Sequence, residues 1–319
     1  MPLVEIMNIF RQGYTCDSEK GLEEAETLLV LRRLRQVYNV TREEDLILQI
    51  KKMLSEYFPN KEIGAKDETH VQIWKGSIRE SECDRMWALQ NIVPQTHVLH
   101  LRSKFYTGIR GKFFGVHMYS LTSLCCGKCV GDFFNPMPTI REDAAPMLSL
   151  YENVRPAIVS VALDPEGTGP DTHYKVLQVV AQALRLGREK QVKLAVKKVW
   201  GYRNVWHRFH LSRANLAIPV TNFQMDEMHR TFLSCFGCQK KAEFPSPEYD
   251  GPFSVLGRRF RVEQLNELKT LLGESYFKDH WHPQIRQADG FVLIKEMTVD
   301  EFLKNAEDLR SKIELHNLL

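Results

Sequence analysis

The stretch of this chain best equipped for chemistry is the polar, glycine-rich loop Asp164-Pro165-Glu166-Gly167-Thr168-Gly169-Pro170-Asp171-Thr172-His173. It follows directly on Ala157-Ile158-Val159-Ser160-Val161-Ala162-Leu163, an almost continuously apolar run. Its glycines let the backbone pass close to a ligand, and Asp164, Glu166 and Asp171 supply carboxylates. His173 stands where a helical pattern begins, so its imidazole can ligate a metal or donate to an anion. The same residues also suit a Gly/Pro/Asp turn whose histidine only caps the helix.

Two Cys-x-x-Cys pairs, Cys126/Cys129 and Cys235/Cys238, invite a zinc reading, because thiolates two residues apart can grip one tetrahedral ion. Their separation far exceeds the roughly 15–20 residues of a zinc ribbon, and isolated buried or surface thiols are the alternative. His280-Trp281-His282 and the pair His207 and His210 have no cysteine or carboxylate cluster beside them and read as loop residues. Arg203 lies between Trp200-Gly201-Tyr202 and Trp206. A guanidinium in that setting can hold a phosphate or carboxylate bidentately, or simply pack as a stacked surface arginine.

The elements that must position these groups alternate between helical and extended patterns. Helices are expected over residues 18–38, 41–57 and 68–91. The second would be capped by Thr41 with Glu44 reaching back and stopped by Pro59. In the third, Arg79 and Glu82 can meet on one flank. Residues 97–101, His-Val-Leu-His-Leu, alternate like a strand. The apolar run 157–163 suits a strand covered on both faces, and the helix after the loop should end near Gly187. Strands over 192–199 and 216–220 and a helix over 226–235 complete an open α/β sheet. Helices over 262–272 and 299–315 close the chain, the latter opened by Thr298-x-x-Glu301, with 291–295 as an edge strand between them. Residues 112–134, which carry Cys125, Cys126 and Cys129, show no clean period and read as an inserted loop.

Taken in order, several stretches resemble one family, the LmbE/PIG-L-like zinc-dependent N-deacetylases, in the branch found attached to glucosamine-6-phosphate deaminases. They are Ile78-Arg79-Glu80-x-Glu82, residues 97–101 with Phe105-Tyr106, and Val154-Arg155-Pro156 leading to the 164–173 loop and Lys175. Trp200-Gly201-Tyr202-Arg203-x-x-Trp206 and Ser234-x-x-x-Cys238-Gln239 follow. The likeness covers about residues 68–277. It implies a Rossmann-like, mostly parallel open sheet with helices on both faces over residues 1–277, and a helical C-terminal extension over 278–319. It also implies a zinc-bound water attacking the N-acetyl carbonyl of an amino sugar or its phosphate. By that resemblance His173 and Asp164 are zinc ligands, Asp171 is the catalytic carboxylate, and Arg79, Tyr202, Arg203 and Gln239 hold the sugar or its phosphate. A glucosamine-6-phosphate deaminase domain is the implied partner.

The family's His-Pro-Asp-Asp motif, source of two zinc ligands and the general base, stands nowhere in the 319 residues; His282-Pro283-Gln284 is the nearest string. Pro170 takes the place of the loop's usual first histidine. The chain is therefore expected to enter the fold after the first strand, with residues 6–15 where the next strand would be. The alternative to a deacetylase is a catalytically impaired domain that binds a sugar phosphate. Composition sets wider bounds. Lys+Arg 43 against Asp+Glu 40 is too nearly balanced to indicate a nucleic-acid or anionic-membrane binder. No apolar run approaches the roughly 20 residues of a membrane span, and no secretory signal opens the chain. Seven cysteines, an odd number, argue against a disulfide scaffold and for a reducing cytoplasm.

Overall fold

The computed structural model describes residues 19–60, 68–93, 97–99, 138–164, 171–203, 208–237 and 252–316. The chain forms two compact units, residues 1–132 with 231–240, and residues 133–230 with 241–319. The inserted loop at 112–134, Cys125, Cys126, Cys129, Cys238 and residues 6–15 lie outside the described residues.

In the first unit, α1 (Glu19–Tyr38), α2 (Glu43–Lys52) and α3 (Thr69–Leu89) enclose a small core of Leu34, Leu46, Met53 and Val71. Arg33 Nε donates to Ser81 Oγ at 3.0 Å, tying α1 to α3. Thr41 does not cap α2. The N-cap is Arg42, without a side-chain capping bond, and its guanidinium reaches forward to Asp45. Glu43, Glu44 and Asp45 complement the helix dipole in its first turn, so no capping hydroxyl is required. Nor does Pro59 stop the helix. A π turn at Met53–Tyr57 shifts the ladder to the i−5 carbonyl just before a residue with no N–H, and the chain stays helical to Asn60. At residues 97–99 the structure departs from the expected strand, since the His97 N–H bonds the Val93 carbonyl as a helical turn does.

The second unit runs through a π turn (Ile140–Ala144) into α4 (Ala145–Val154), β1 (Ile158–Ala162), α5 (Asp171–Glu189) and β2 (Lys198–Tyr202). A 3₁₀ turn (Leu211–Arg213), β3 (Leu216–Val220) and α6 (Asn222–Cys235), whose residues from Thr231 on belong to the first unit, follow, then α7 (Phe253–Leu272), α8 (Glu274–Lys278) and α9 (Pro283–Arg286). The last elements are β4 (Gly290–Thr298) and α10 (Val299–His316).

The sheet is mixed, in the order β1-β2-β4-β3. β1 and β2 pair in parallel across α5, as a βαβ crossover requires, while β4 is antiparallel to both β2 and β3. β1, β2 and β3 thus share one direction and β4 lies reversed between the last two. The segment 291–295, expected at an edge, is therefore interior and longer. Leu293 and Ile294 are both buried; successive side chains point to opposite faces, so β4 is covered on both sides there. Residues 192–197 do not form the start of a strand. Val192 N–H bonds Gly187 O at 2.8 Å and Leu194 N–H bonds Val192 O, folding the segment back on the end of α5. α5 passes through Gly187 rather than ending there, and the glycine is accounted for by Leu194, which packs against that position and leaves no room for a side chain. α7 begins nine residues before the expected Val262.

Candidate functional site

Parallel pairing puts the carboxyl ends of β1 and β2 at one edge of the sheet, with Ala162 opposite Tyr202. The Leu163 N–H extends the pairing by one bond, to Tyr202 O at 2.7 Å. Asp164 and Arg203 then leave the sheet side by side. α5 returns to this edge with Asp171 as its first residue, and its apolar stripe Leu177, Val180, Ala181 and Leu184 is buried. That burial fixes the direction of the helix and delivers His173 to the end of β1.

Asp164 Oδ2 and His173 Nδ1 are hydrogen-bonded, and the side chains retain only 6% and 15% of their exposure. A carboxylate oxygen accepts, so Nδ1 donates in this bond, and in the neutral imidazole the lone pair is on Nε2. A carboxylate in this position fixes the tautomer and the ring plane. Tyr202 stands close enough to feel the same carboxylate. Burial raises its hydroxyl pKa above the usual 10.0, and the charge of Asp164 raises it further.

Arg203 is held on three sides. Nε donates to Leu163 O at 3.1 Å, Nη1 donates to Arg208 O at 3.3 Å, and the guanidinium lies 4.4 Å above the buried ring of Phe209. Burial lowers its pKa, and the neighbouring Arg213 lowers it further while Asp164 opposes. The cation is thus stacked at the end of the strand, as the packing reading of Arg203 has it.

The other expected site residues divide. Arg79 lies in α3 of the first unit, where Nη1 is 3.2 Å from Glu82 Oε2 and the guanidinium lies 5.8 Å from the Phe236 ring. The expected Arg79–Glu82 contact forms, while Asp164, His173, Tyr202 and Arg203 all belong to the second unit. Gln239, Glu166 and the side chain of Asp171 lie outside the described residues. Cys235 is buried, with its Sγ 3.9 Å from Ser234 Oγ. Among the described residues no three His, Cys, Asp or Glu side chains gather as a metal site would need, and no helix is long and apolar enough to cross a membrane.

Phe209, Arg213 and the fully buried Lys175 drew no role from the sequence. The spacing Arg203-x5-Phe209 carries no periodic signal that would place the ring beneath the guanidinium. Lys175 had a faint one, lying one helical turn after Asp171. Compared with family models, curated proteins and solved structures, the chain matches none.

Proposed function

We propose that this chain is a relative of the LmbE/PIG-L-like N-deacetylases, with a Rossmann-like sheet, acting on an N-acetylated amino sugar or its phosphate at the carboxyl ends of β1 and β2. The observation that carries this reading is the Asp164–His173 pair, set at the edge of a parallel βαβ unit beside Arg203. Open α/β sheets gather their ligands at that edge. With Nδ1 bonded to Asp164, Nε2 of His173 is placed to take a proton from an attacking water and return it to the departing amine. Asp164 steadies the imidazolium that forms, and the positive charge of Arg203 favours an anionic group nearby.

Zinc, which the resemblance implies, is not accommodated by these residues alone. A catalytic zinc takes three protein ligands. Here His173 offers one nitrogen and Asp164 is engaged with the other, so no step of this reading runs through a metal. A specific observation therefore favours a second reading, a sugar-phosphate-binding domain without turnover that serves a glucosamine-6-phosphate deaminase domain. Among the described residues no three candidate ligands gather, and His-Pro-Asp-Asp stands nowhere in the chain.

Acetate release from N-acetylglucosamine and its 6-phosphate, measured with and without added zinc, separates the two. Turnover lost on His173→Ala supports the deacetylase. No turnover, with a Tm raised by glucosamine 6-phosphate as linkage demands, supports the binding domain. Neither turnover nor a shift in Tm removes both.

A further inference from the structure

The three arginines of α7 are placed differently. Arg258 pairs with Asp226 and bonds Asn222 of α6, and Arg259 pairs with Glu263 one turn on. Arg261 has no hydrogen bond or ion pair among the described residues, and its Nη1 is buried. The carboxylates of its own helix do not serve it. Glu263 is taken up by Arg208 and Arg259, and Glu267 faces Arg208 at 3.9 Å. Burial lowers the Arg261 pKa, with no neighbouring charge acting against it.

The inner stripe of α7 is Ser254, Gly257, Arg261 and Gln264, spaced by three, four and three residues along one helical face. Ser254, Gly257 and Gln264 are buried, where a helix ordinarily presents apolar groups. Ser254 is accounted for by His229, whose Nδ1 lies 2.9 Å from its Oγ. Long helical side chains lean towards the start of the helix, so the missing side chain of Gly257 leaves room for the stem of Arg261. Gln264 is only 6% exposed, and its amide has no hydrogen bond among the described residues. Residues three apart on a helix are neighbours, so two side chains without partners adjoin.

Their place in the fold is fixed by Gly290. A methyl group there would lie 3.0 Å from Arg261 Cβ and 3.1 Å from its carbonyl oxygen. Gly290 opens β4 and pairs with Val220, the last residue of β3. Arg261 is therefore held at the carboxyl end of β3, and open α/β sheets gather ligands at that edge. In the sheet order β2 and β4 lie between β3 and β1, so this place is distinct from the Asp164–His173 pair.

We infer that Arg261 and Gln264 form a binding site for a small carboxylate at the carboxyl end of β3. A planar guanidinium offers a carboxylate two parallel N–H bonds, and the Gln264 amide offers another donor. One cation and one neutral amide match a single negative charge. Asp289, next to Gly290 and bonded to the Asn222 N–H at 2.7 Å, adds its own negative charge, which weighs against a dianion. A buried charge without a partner is costly, and an entering carboxylate removes that cost.

Thermal unfolding of the full chain in acetate, phosphate and chloride, at one pH and ionic strength, tests the site. Acetate should raise Tm relative to chloride, by about 3 °C once it reaches about ten times its Kd. Arg261→Met keeps the unbranched stem and should abolish that rise without lowering Tm in chloride. Gln264→Glu places a carboxylate beside the cation; it should raise Tm in chloride and leave acetate without effect. No rise in the wild type, or a rise that survives in Arg261→Met, overturns the site. So does either variant being less stable in chloride than the wild type, since the cation would then have a structural role. An Arg261-dependent rise larger in phosphate than in acetate overturns the assignment to a singly charged carboxylate.

Discussion

Oδ2 of Asp164 and Nδ1 of His173 share a hydrogen bond that joins the end of β1 to the first turn of α5, closing the loop between them. Both side chains are largely withdrawn from water, so removing one leaves the other short of its partner. Asp164→Ala should cost about 1–3 kcal/mol in urea unfolding. Asp164→Asn should cost less, because its amide oxygen still accepts from Nδ1. Turnover, where present, should respond differently: both variants should lose about a hundredfold or more, since neither side chain stabilises an imidazolium. Equal stability losses for Ala and Asn would mean that the bond contributes nothing beyond packing.

Tyr202 supplies a pH test of the same neighbourhood. Burial first, and the charge of Asp164 second, raise its pKa above 10.0 in the folded protein. The neutral phenol is thus favoured by folding. Its contribution is fully present below the unfolded pKa near 10 and is lost as pH rises through the higher folded value. Tyr202→Phe should therefore flatten the alkaline limb of the stability profile. In an absorbance titration of tyrosinate, Asp164→Asn should lower the Tyr202 pKa while leaving it above 10.0, because burial is the larger cause.

Gly201 tests how β1 and β2 are matched at the site. A methyl group there would lie 2.7 Å from Leu163 Cδ2 and 2.9 Å from Leu163 Cβ. Gly201→Ala should destabilise by about 1–3 kcal/mol through overpacking. Leu163→Ala should be destabilising alone yet recover part of the loss in the double variant. A coupling energy within about 0.5 kcal/mol of zero would place the cause of the Gly201 effect elsewhere.

The edge of the sheet that carries Asp164 was legible because strand β1 and the stripe of α5 are apolar and the loop between them is not. The interior position of β4 was hidden by Lys295 and Glu296, which look like residues of an exposed edge. Cross-strand partners explain Glu296. Trp200 Nε1 donates to Glu296 Oε2 at 3.0 Å, Lys198 pairs with the same carboxylate, and Asn215 bonds both backbone groups of Glu296. Such pairings depend on register, which a single sequence does not display. The early start of α7 was hidden by Gly257 and the charges at Arg258 and Arg259. Gly257 is buried in the helix, while Arg258 pairs with Asp226 and Arg259 with Glu263. Arg203 was recognisable from its aromatic neighbours, but its support by Phe209 has no signature in the spacing of the two residues.

The start of α10 was legible in full and gives a prediction for acid. Glu301 N–H donates to Thr298 Oγ1 at 3.2 Å, and Thr298 N–H donates to Glu301 Oε2 at 2.7 Å, a reciprocal capping box. Thr298→Ala should cost about 1 kcal/mol, the usual loss for a threonine cap. The backbone and hydroxyl bonds from Thr298 hold the Glu301 pKa below its ordinary value. A depressed carboxylate stabilises the fold above its unfolded pKa, near 4.3, and loses that contribution as pH falls through the folded value. Glu301→Gln keeps an acceptor for the Thr298 N–H but has nothing to titrate. The stability difference between wild type and Glu301→Gln should therefore be constant above about pH 5.5 and shrink as the protein is acidified. A difference that stayed constant through that window would show that the charge of Glu301 adds nothing to the box.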